Sequence, residues 1–394
     1  MSSVFKDLRV LDFGRYIAGP FCAAMLGDFG ADVIRIDKLG GSEDRFVMPV
    51  SESGEGAYFL QVNRNKRSIA LDIDSEQGRE VVRRLVRTAD IVVVNMPHQT
   101  LKKLGLDYAT LSEIDPRLIV VAASAFGELE SDAHRVGFDG VAQAMSGAVY
   151  LSGTDGHPAK AMVPFVDFST ALACAMGTFA ALFERNTSGR GQLVDGSLLR
   201  TALNVASGSL VEEDALKIGR RATGNRSPIA GPSDIFRTSD GWIIAQVIGQ
   251  PLFKRWAHMV GRPELLDDPR FVNDLERGAN GEILSEVMSE WCSTRKTAES
   301  LATLESAKIP AGPVHSPTQA LADVALHERG LFQQMAYPGM ARPITLVASP
   351  VNLSRTPPEI RFRAPVAGEH TEAILAEAGY DFEAIAALRH SGVI

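Results

Sequence analysis

Four short apolar runs recur early in the chain, at residues 8–13, 31–37, 91–96 and 118–124, and helical patterns lie between them. Strands buried on both faces read as continuous apolar runs of this kind. Parallel neighbours among them need a crossover of a dozen or more residues, usually a helix. That rhythm limits the chain to an open, doubly wound α/β sheet. Ligands of such sheets gather beyond the carboxyl ends of the strands. In the first unit Gly14 ends a strand, Gly19-Pro20 opens a helix over 21–29, Gly30 stops it, and a second strand covers 31–37. Arg15, Tyr16, Ile17, Ala18 and Gly19 therefore fall in one binding loop, with Asp37 and Lys38 at the end of the neighbouring strand. A dinucleotide-binding dehydrogenase is a weak rival, because the loop Gly14-Arg-Tyr-Ile-Ala-Gly19 lacks the middle glycine of the pyrophosphate fingerprint.

Further on, Asp167 is followed by sixteen residues without a charge before Glu184, rich in Ala and free of Pro. This reads as a buried helix of about four turns. Asp167 sits where an N-cap would, with the free amides and the helix dipole keeping it ionised. An ionised carboxylate in an apolar setting is also a nucleophile. Capping and catalysis both stay open on this stretch alone. Arg64, Lys66 and Arg67 precede a short strand and read either as a solvated turn or as a clamp for phosphates. Asn95 lies near the end of a strand, and Asp139 and Gln143 fall one helical turn apart. No Gly-x-Ser-x-Gly elbow or Walker loop occurs, and the histidines show no paired ligand spacing, so no metal site is expected.

The length of 394 residues suggests two or three domains' worth of material. Residues 1–210 form a large Rossmann-like domain, 222–325 a smaller α+β domain, and 330–394 a proline-rich return segment whose final helices, over 369–377 and 382–390, join the large domain. A net charge of −8 without clustered basic residues argues against nucleic-acid or membrane partners. Cys22, Cys174 and Cys292 are odd in number and far apart, which points to free thiols in a reducing compartment. The start has no signal-peptide pattern and no run reads as a membrane span, so the expected location is the cytoplasm.

Several stretches together resemble one family, the class III coenzyme A transferases, which include formyl-CoA transferase, carnitine CoA-transferase and the 2-methylacyl-CoA racemases. The matching pieces are Leu8-Arg-Val-Leu-Asp-Phe with Ala18-Gly-Pro20, Leu26-Gly-Asp-Phe-Gly-Ala-Asp-Val-Ile-Arg-Ile, Asn65-Lys-Arg-Ser-Ile-Ala-Leu-Asp72, and Ala89-Asp-Ile-Val-Val-Val-Asn95. Asp139-Gly-Val-Ala-Gln-Ala, Thr187-Ser-Gly-Arg-Gly-Gln192, Ile309-Pro-Ala-Gly-Pro-Val314 and Gly368-Glu-His-Thr371 follow in order. The resemblance implies that Asp167 is the catalytic aspartate, passing through a mixed anhydride and an aspartyl-CoA thioester. It implies coenzyme A or acyl-CoA as substrate, a small carboxylic acid as acceptor, no tightly bound cofactor, and an interlocked homodimer. Within that reading Lys38, Arg64, Lys66 and Arg67 are candidates for the CoA phosphates, Asn95 and Lys103 lie where family members resemble one another in contacting the nucleotide end, the loop with Arg15, Ile17 and Ala18 is expected beside the thioester and acyl group, and Asp139 is a further candidate for CoA binding. Ile17 stands where oxalate-using members resemble one another in carrying Gln, which argues against oxalate. The racemases carry a His just after the glycine that here is Gly137, and this chain has Phe138 there, with His134 three residues short of Gly137. Two-base proton exchange needs that second base, so the transferase is preferred. A racemase, or a CoA-binding protein without turnover, remains the alternative.

Overall fold

The computed structural model describes residues 3–127 and 135–394. Two compact units emerge. The first comprises residues 1–146, 161–210 and 325–394, and the second 147–160 and 211–324. The sequence boundary of 222 for the smaller part missed the segment 147–160, whose two-residue strands Gly153–Thr154 and His157–Pro158 pair as a hairpin.

The first unit is built on a six-stranded parallel sheet. Its strands are β1 (Arg9–Asp12), β2 (Asp32–Asp37), β3 (Lys66–Ala70), β4 (Ile91–Val94), β5 (Ile119–Ser124) and β6 (Leu193–Ser197). They lie side by side in the order β3-β2-β1-β4-β5-β6. Alternate residues feed opposite faces, as the pleat demands. Val10, Val33, Ile91, Val93, Ile119 and Val121 pack on one face, against helix α1 (Ala18–Asp28) and a long helix over Phe165–Ser188. Leu11, Ile34, Val92, Val94 and Val120 pack on the other face, against helix α2 (Glu76–Val86) and the two helices of the chain end. Burial on both sides explains the unbroken apolar runs of β4 and β5, while β2 and β3 also bury Arg35, Asp37, Lys66 and Ser68.

The chain end covers an edge. Strand β3 is outermost, so its outer backbone groups have no strand partner. The return segment supplies one: the Ser68 amide donates to His370 Nδ1 and the Ala70 amide to Thr371 Oγ1, while Gly368 N–H donates to Ser68 Oγ. Asn65 fastens the same segment, accepting from the amides of Arg361 and Phe362 and donating to the Glu359 carbonyl. Two widely separated sequence pieces, Asn65-Lys-Arg-Ser and Gly368-Glu-His-Thr, are thus parts of one contact.

The second unit has its own core. Strands β7 (Ser233–Arg237), β8 (Trp242–Gln246) and β9 (Ala311–Pro313) form an antiparallel sheet. Phe236, Ile243, Phe253, Trp256, Leu284 and Met288 pack beneath it.

Candidate active site

The strand order reverses direction of travel between β1 and β4, and the loops leaving these two strands part there to open a crevice. Asn95, just past β4, holds the loop past β1 by two hydrogen bonds. The Arg15 amide donates to Asn95 Oδ1 at 2.8 Å, and Asn95 Nδ2 donates to the Arg15 carbonyl at 2.7 Å. Gly14 is obligatory in this turn: a Cβ there would stand 2.7 Å from both Asp12 Oδ1 and Pro20 Cδ.

A buried polar lattice lies under the loop. Arg35 donates to Asp37, to both oxygens of Asp44, to Asn63 and to the Gly14 carbonyl. Arg45 pairs with Asp37 as well, and these opposing charges hold the Asp37 carboxyl well below its ordinary range despite burial. Tyr16 N–H donates to Asp44 Oδ2, which holds Tyr16 at φ 63. The loop is therefore fixed from below.

Helix α3 (Asp139–Met145) and the long helix α4 (Phe165–Ser188) complete the site. Asp167 is the third residue of α4 rather than its N-cap, which is Pro164. The cap comes from another element. Asp139 Oδ2 accepts the amides of Val166 at 2.8 Å and Asp167 at 3.1 Å, while its other oxygen accepts from Gln143. Gln143 Oε1 in turn accepts the Ala161 amide, tying down the segment before the helix. Gly189, left-handed at φ 72, closes α4. This helix is long and apolar enough to cross a membrane by length and composition, against the sequence reading. Its Ala171, Cys174, Ala175 and Ala181 are buried in the core on α1 and the sheet, as in the central helix of a globular unit.

Asp167 faces a cleft of about 260 Å³ bounded by Ile17, Asn95, Ala125, Gly137 and Leu198. Burial first, and then the adjacent Asp139 charge, push its carboxyl up from 3.8 to about 7. This reverses the expectation that the helix start keeps it ionised. Two of the amides meant to do so are occupied by Asp139, and the negative neighbour opposes a second charge. A carboxylate with a raised pKa is a stronger nucleophile once its proton leaves. Tyr16 and Phe138 meet edge to face at 5.4 Å and form an aromatic flank of the cleft. Phe138, at the position where a racemase base would stand, is apolar; His134 lies outside the described residues.

The structure brings together Arg15, Ile17, Ala18, Asn95 and Asp167 around the cleft, with Asp139 behind Asp167. It does not bring the basic cluster there. Arg64 is buried on Asp28, and Lys66 is buried on Asp12, Asn63 and the Pro20 carbonyl. Arg67 bridges Asp32 and Glu377. These three side chains join elements of the fold, and the phosphate clamp read from their sequence is corrected accordingly. Burying such charges is tolerated only with partners of this kind. Arg15 also turns inward, donating to the carbonyls of Phe13, Gly14 and Ile36, so only its backbone serves the cleft. Lys38 is exposed and pairs with Glu43, which lines the cleft. Lys103 is exposed, 3.8 Å from Asp74, on the helix His98–Leu104 whose first residue lines the cleft. Among the described residues no group of His, Cys, Asp and Glu is arranged to hold a metal. Sequence reasoning missed Arg135, a cleft residue whose guanidinium stacks on Phe126.

The family described as CoA-transferase family III matches residues 5–371. A succinyl-CoA:mesaconate CoA-transferase of Haloarcula hispanica is 33% identical, over 95% of this chain and 96% of its own. A succinate–glutarate CoA-transferase of Agrobacterium fabrum is 34% identical, over 94% and 95% respectively. Among solved structures, a CAIB/BAIF family protein from Brucella suis superposes with a TM-score of 0.83 at 32% identity, covering 96% of this chain and all of that one.

Proposed function

The chain belongs to CoA-transferase family III and moves coenzyme A from an acyl-CoA to a free carboxylic acid; on that premise we propose that both acids are short dicarboxylates and that Asp167 carries the transfer covalently. The observation that carries the reading is Asp167 itself, held by Asp139 at the wall of the cleft beyond β1 and β4. The dicarboxylate class rests on the relatives, whose names specify succinyl-CoA with mesaconate, glutarate or L-malate.

The steps balance without a cofactor. The Asp167 carboxylate attacks the thioester carbonyl, the C–S bond breaks, and CoA thiolate leaves a mixed anhydride. The thiolate attacks the Asp167 carbonyl and expels the donor acid, giving an aspartyl-CoA thioester. The acceptor carboxylate attacks that carbonyl, releases the thiolate and forms a second anhydride. The thiolate then takes the new acyl group and restores Asp167. Each step exchanges one carboxylate or thiolate for another, and covalent passage divides one hard exchange into four easier ones. Lys38, Asn95 and Lys103 are proposed for the nucleotide end of CoA, since they stand on or beside cleft-lining segments. Ile17, Ala18, Tyr16 and Phe138 are proposed to flank the acyl and thioester portion.

A homodimer is proposed on the apolar stripe of α4: Leu172, Met176 and Phe183 project from the helix at 39%, 69% and 80% exposure. Such a stripe is larger than scattered surface apolar residues and fits a protein interface. Three buried, unpaired thiols support a cytoplasmic location.

The test is acyl exchange. Succinyl-CoA is incubated with a pool of carboxylic acids, and new thioesters are read by mass spectrometry, with Asp167→Ala beside the wild type. New dicarboxylyl-CoA species from wild type alone are expected. Exchange persisting in Asp167→Ala would remove Asp167 from the mechanism.

A further inference from the structure

The segment that leads into α4 is a strap fastened at both ends to α3. It reads Ala-Met-Val-Pro over residues 161–164, with Met162 and Val163 exposed. Pro164, the N-cap of α4, makes no side-chain bond to the helix. At the near end Gln143 Oε1 accepts the Ala161 amide at 3.0 Å. At the far end Asp139 Oδ2 accepts the amides of Val166 and Asp167.

The two fastening side chains are themselves a pair. They stand four residues apart on α3, one turn above the other, and both are buried. Gln143 Nε2 donates to Asp139 Oδ1. The glutamine amide has one orientation here: its oxygen takes the Ala161 N–H, so its nitrogen faces the carboxylate. A carboxylate turns about a single bond, and this contact stops the turn with the other oxygen aimed at the start of α4. Gln143 does not line the cleft, so it reaches the chemistry through the backbone of Val166 and Asp167. A displacement of about 1 Å at a reacting group is worth roughly 100-fold in rate.

We infer that Gln143 is a positioning residue for the transfer: by holding both Asp139 and the strap before α4, it sets where the Asp167 carboxyl stands in the cleft. The inference rests on the reading of Asp167 as the nucleophile.

Gln143→Glu keeps the shape of the side chain and makes its bond to Asp139 depend on pH. The protonated acid donates O–H to Asp139 Oδ1 while its other oxygen accepts the Ala161 amide, as glutamine does. The ionised form has no hydrogen to give and sets a second negative charge against Asp139. The other charged groups on this side are Asp167 at the near end of α4 and Arg135 beside Met145 at the end of α3. Arg200, on the helix Leu198–Val205 that packs on α3, is exposed and paired with Asp195.

The experiment follows glutaryl-CoA formed from succinyl-CoA and glutarate between pH 6 and pH 9, with each rate divided by the folded fraction read by circular dichroism at that pH. The ratio of Gln143→Glu to wild-type kcat is expected to fall about 10- to 100-fold as pH rises, with the KM for succinyl-CoA within about twofold. Gln143→Leu, which has no donor at any pH, is expected to give the low ratio throughout. A ratio in Gln143→Glu that stays flat with pH overturns the assignment of Gln143 alone. So does a wild-type kcat in Gln143→Leu, or a loss carried by KM. Exchange persisting in Asp167→Ala overturns the nucleophile reading, and the role of Gln143 with it.

Discussion

Asp139 holds Asp167 by its backbone: Asp139 Oδ2 accepts the Asp167 amide at 3.1 Å, so the carboxylate that helps raise the pKa of Asp167 is also the one that positions it. Tuning is separable from the capping of α4 by substitution, because an asparagine oxygen still accepts the two amides and carries no charge, although its Nδ2 cannot accept from Gln143 as Asp139 does.

Asp139→Asn is therefore expected to move the acidic limb of kcat/KM to lower pH. In wild type that limb is expected near 7, where the Asp167 carboxyl loses its proton. The shift is partial, because burial is the larger cause and remains. Asp139→Ala removes the acceptor too and is expected to lose both activity and ~1–2 kcal/mol of stability as a lost cap. A pH profile identical in Asp139→Asn and wild type would mean that the neighbouring charge does not tune Asp167.

Asp167→Asn is expected to abolish exchange and stabilise the fold at alkaline pH. The folded carboxyl titrates near 7 against an ordinary 3.8, so between these values the unfolded chain is ionised while the native one retains its proton. The penalty is absent below 3.8, builds as pH rises, and is complete above about 7. Its size is ~4 kcal/mol by the pKa difference. Thermal melts of both proteins at pH 4 and pH 8 check this: the Tm gain should appear at pH 8 only, and equal gains at both would count against it.

The wild-type enzyme caught in turnover is expected to be trapped by hydroxylamine as a hydroxamate on Asp167. Peptide mass spectrometry after incubation with succinyl-CoA reads it. Absence of the adduct under conditions that support exchange would rule out the aspartyl thioester.

Arg64→Met is expected to destabilise the protein by about 3–5 kcal/mol, because it strands the buried Asp28 carboxylate. Burial already pushes the Asp28 carboxyl up against the pull of Arg64. The KM for acyl-CoA is expected to stay within about twofold, since no substrate contact is removed. A large rise in KM with little loss of Tm would restore the phosphate-clamp reading.

The sheet was legible because strands buried on both faces are mostly apolar, and Val10 and Leu11 feed opposite cores from adjacent residues. The helix that carries Asp167 was legible from its charge-free run, though it starts at Phe165, two residues before Asp167. Its capping was not, because the cap arrives from Asp139, 28 residues away, and a local rule sees only neighbours. The basic cluster misled for the same reason. The partners of Arg64 and Lys66 lie 36 and 54 residues back, in Asp28 and Asp12. Arg135 gave no signal, since nothing in its immediate sequence reveals that Phe126 and Met145 converge on it.

The covered edge of β3 has a consequence for biosynthesis. Ser68 leaves the ribosome 302 residues before His370, its partner. At a translation rate of about 5–20 residues per second, the interval is roughly 15–60 s. Throughout it the strand is an uncovered template for pairing with another nascent chain, such as one on the same message. Truncation before residue 356 is expected to make this state permanent, with aggregates forming during cell-free synthesis where the full chain stays in the supernatant. The stretch that carries Arg361, His370 and Thr371 thus serves on the ribosome as an internal chaperone made long after its client, so a premature stop codon ahead of it endangers the strand that holds Ser68.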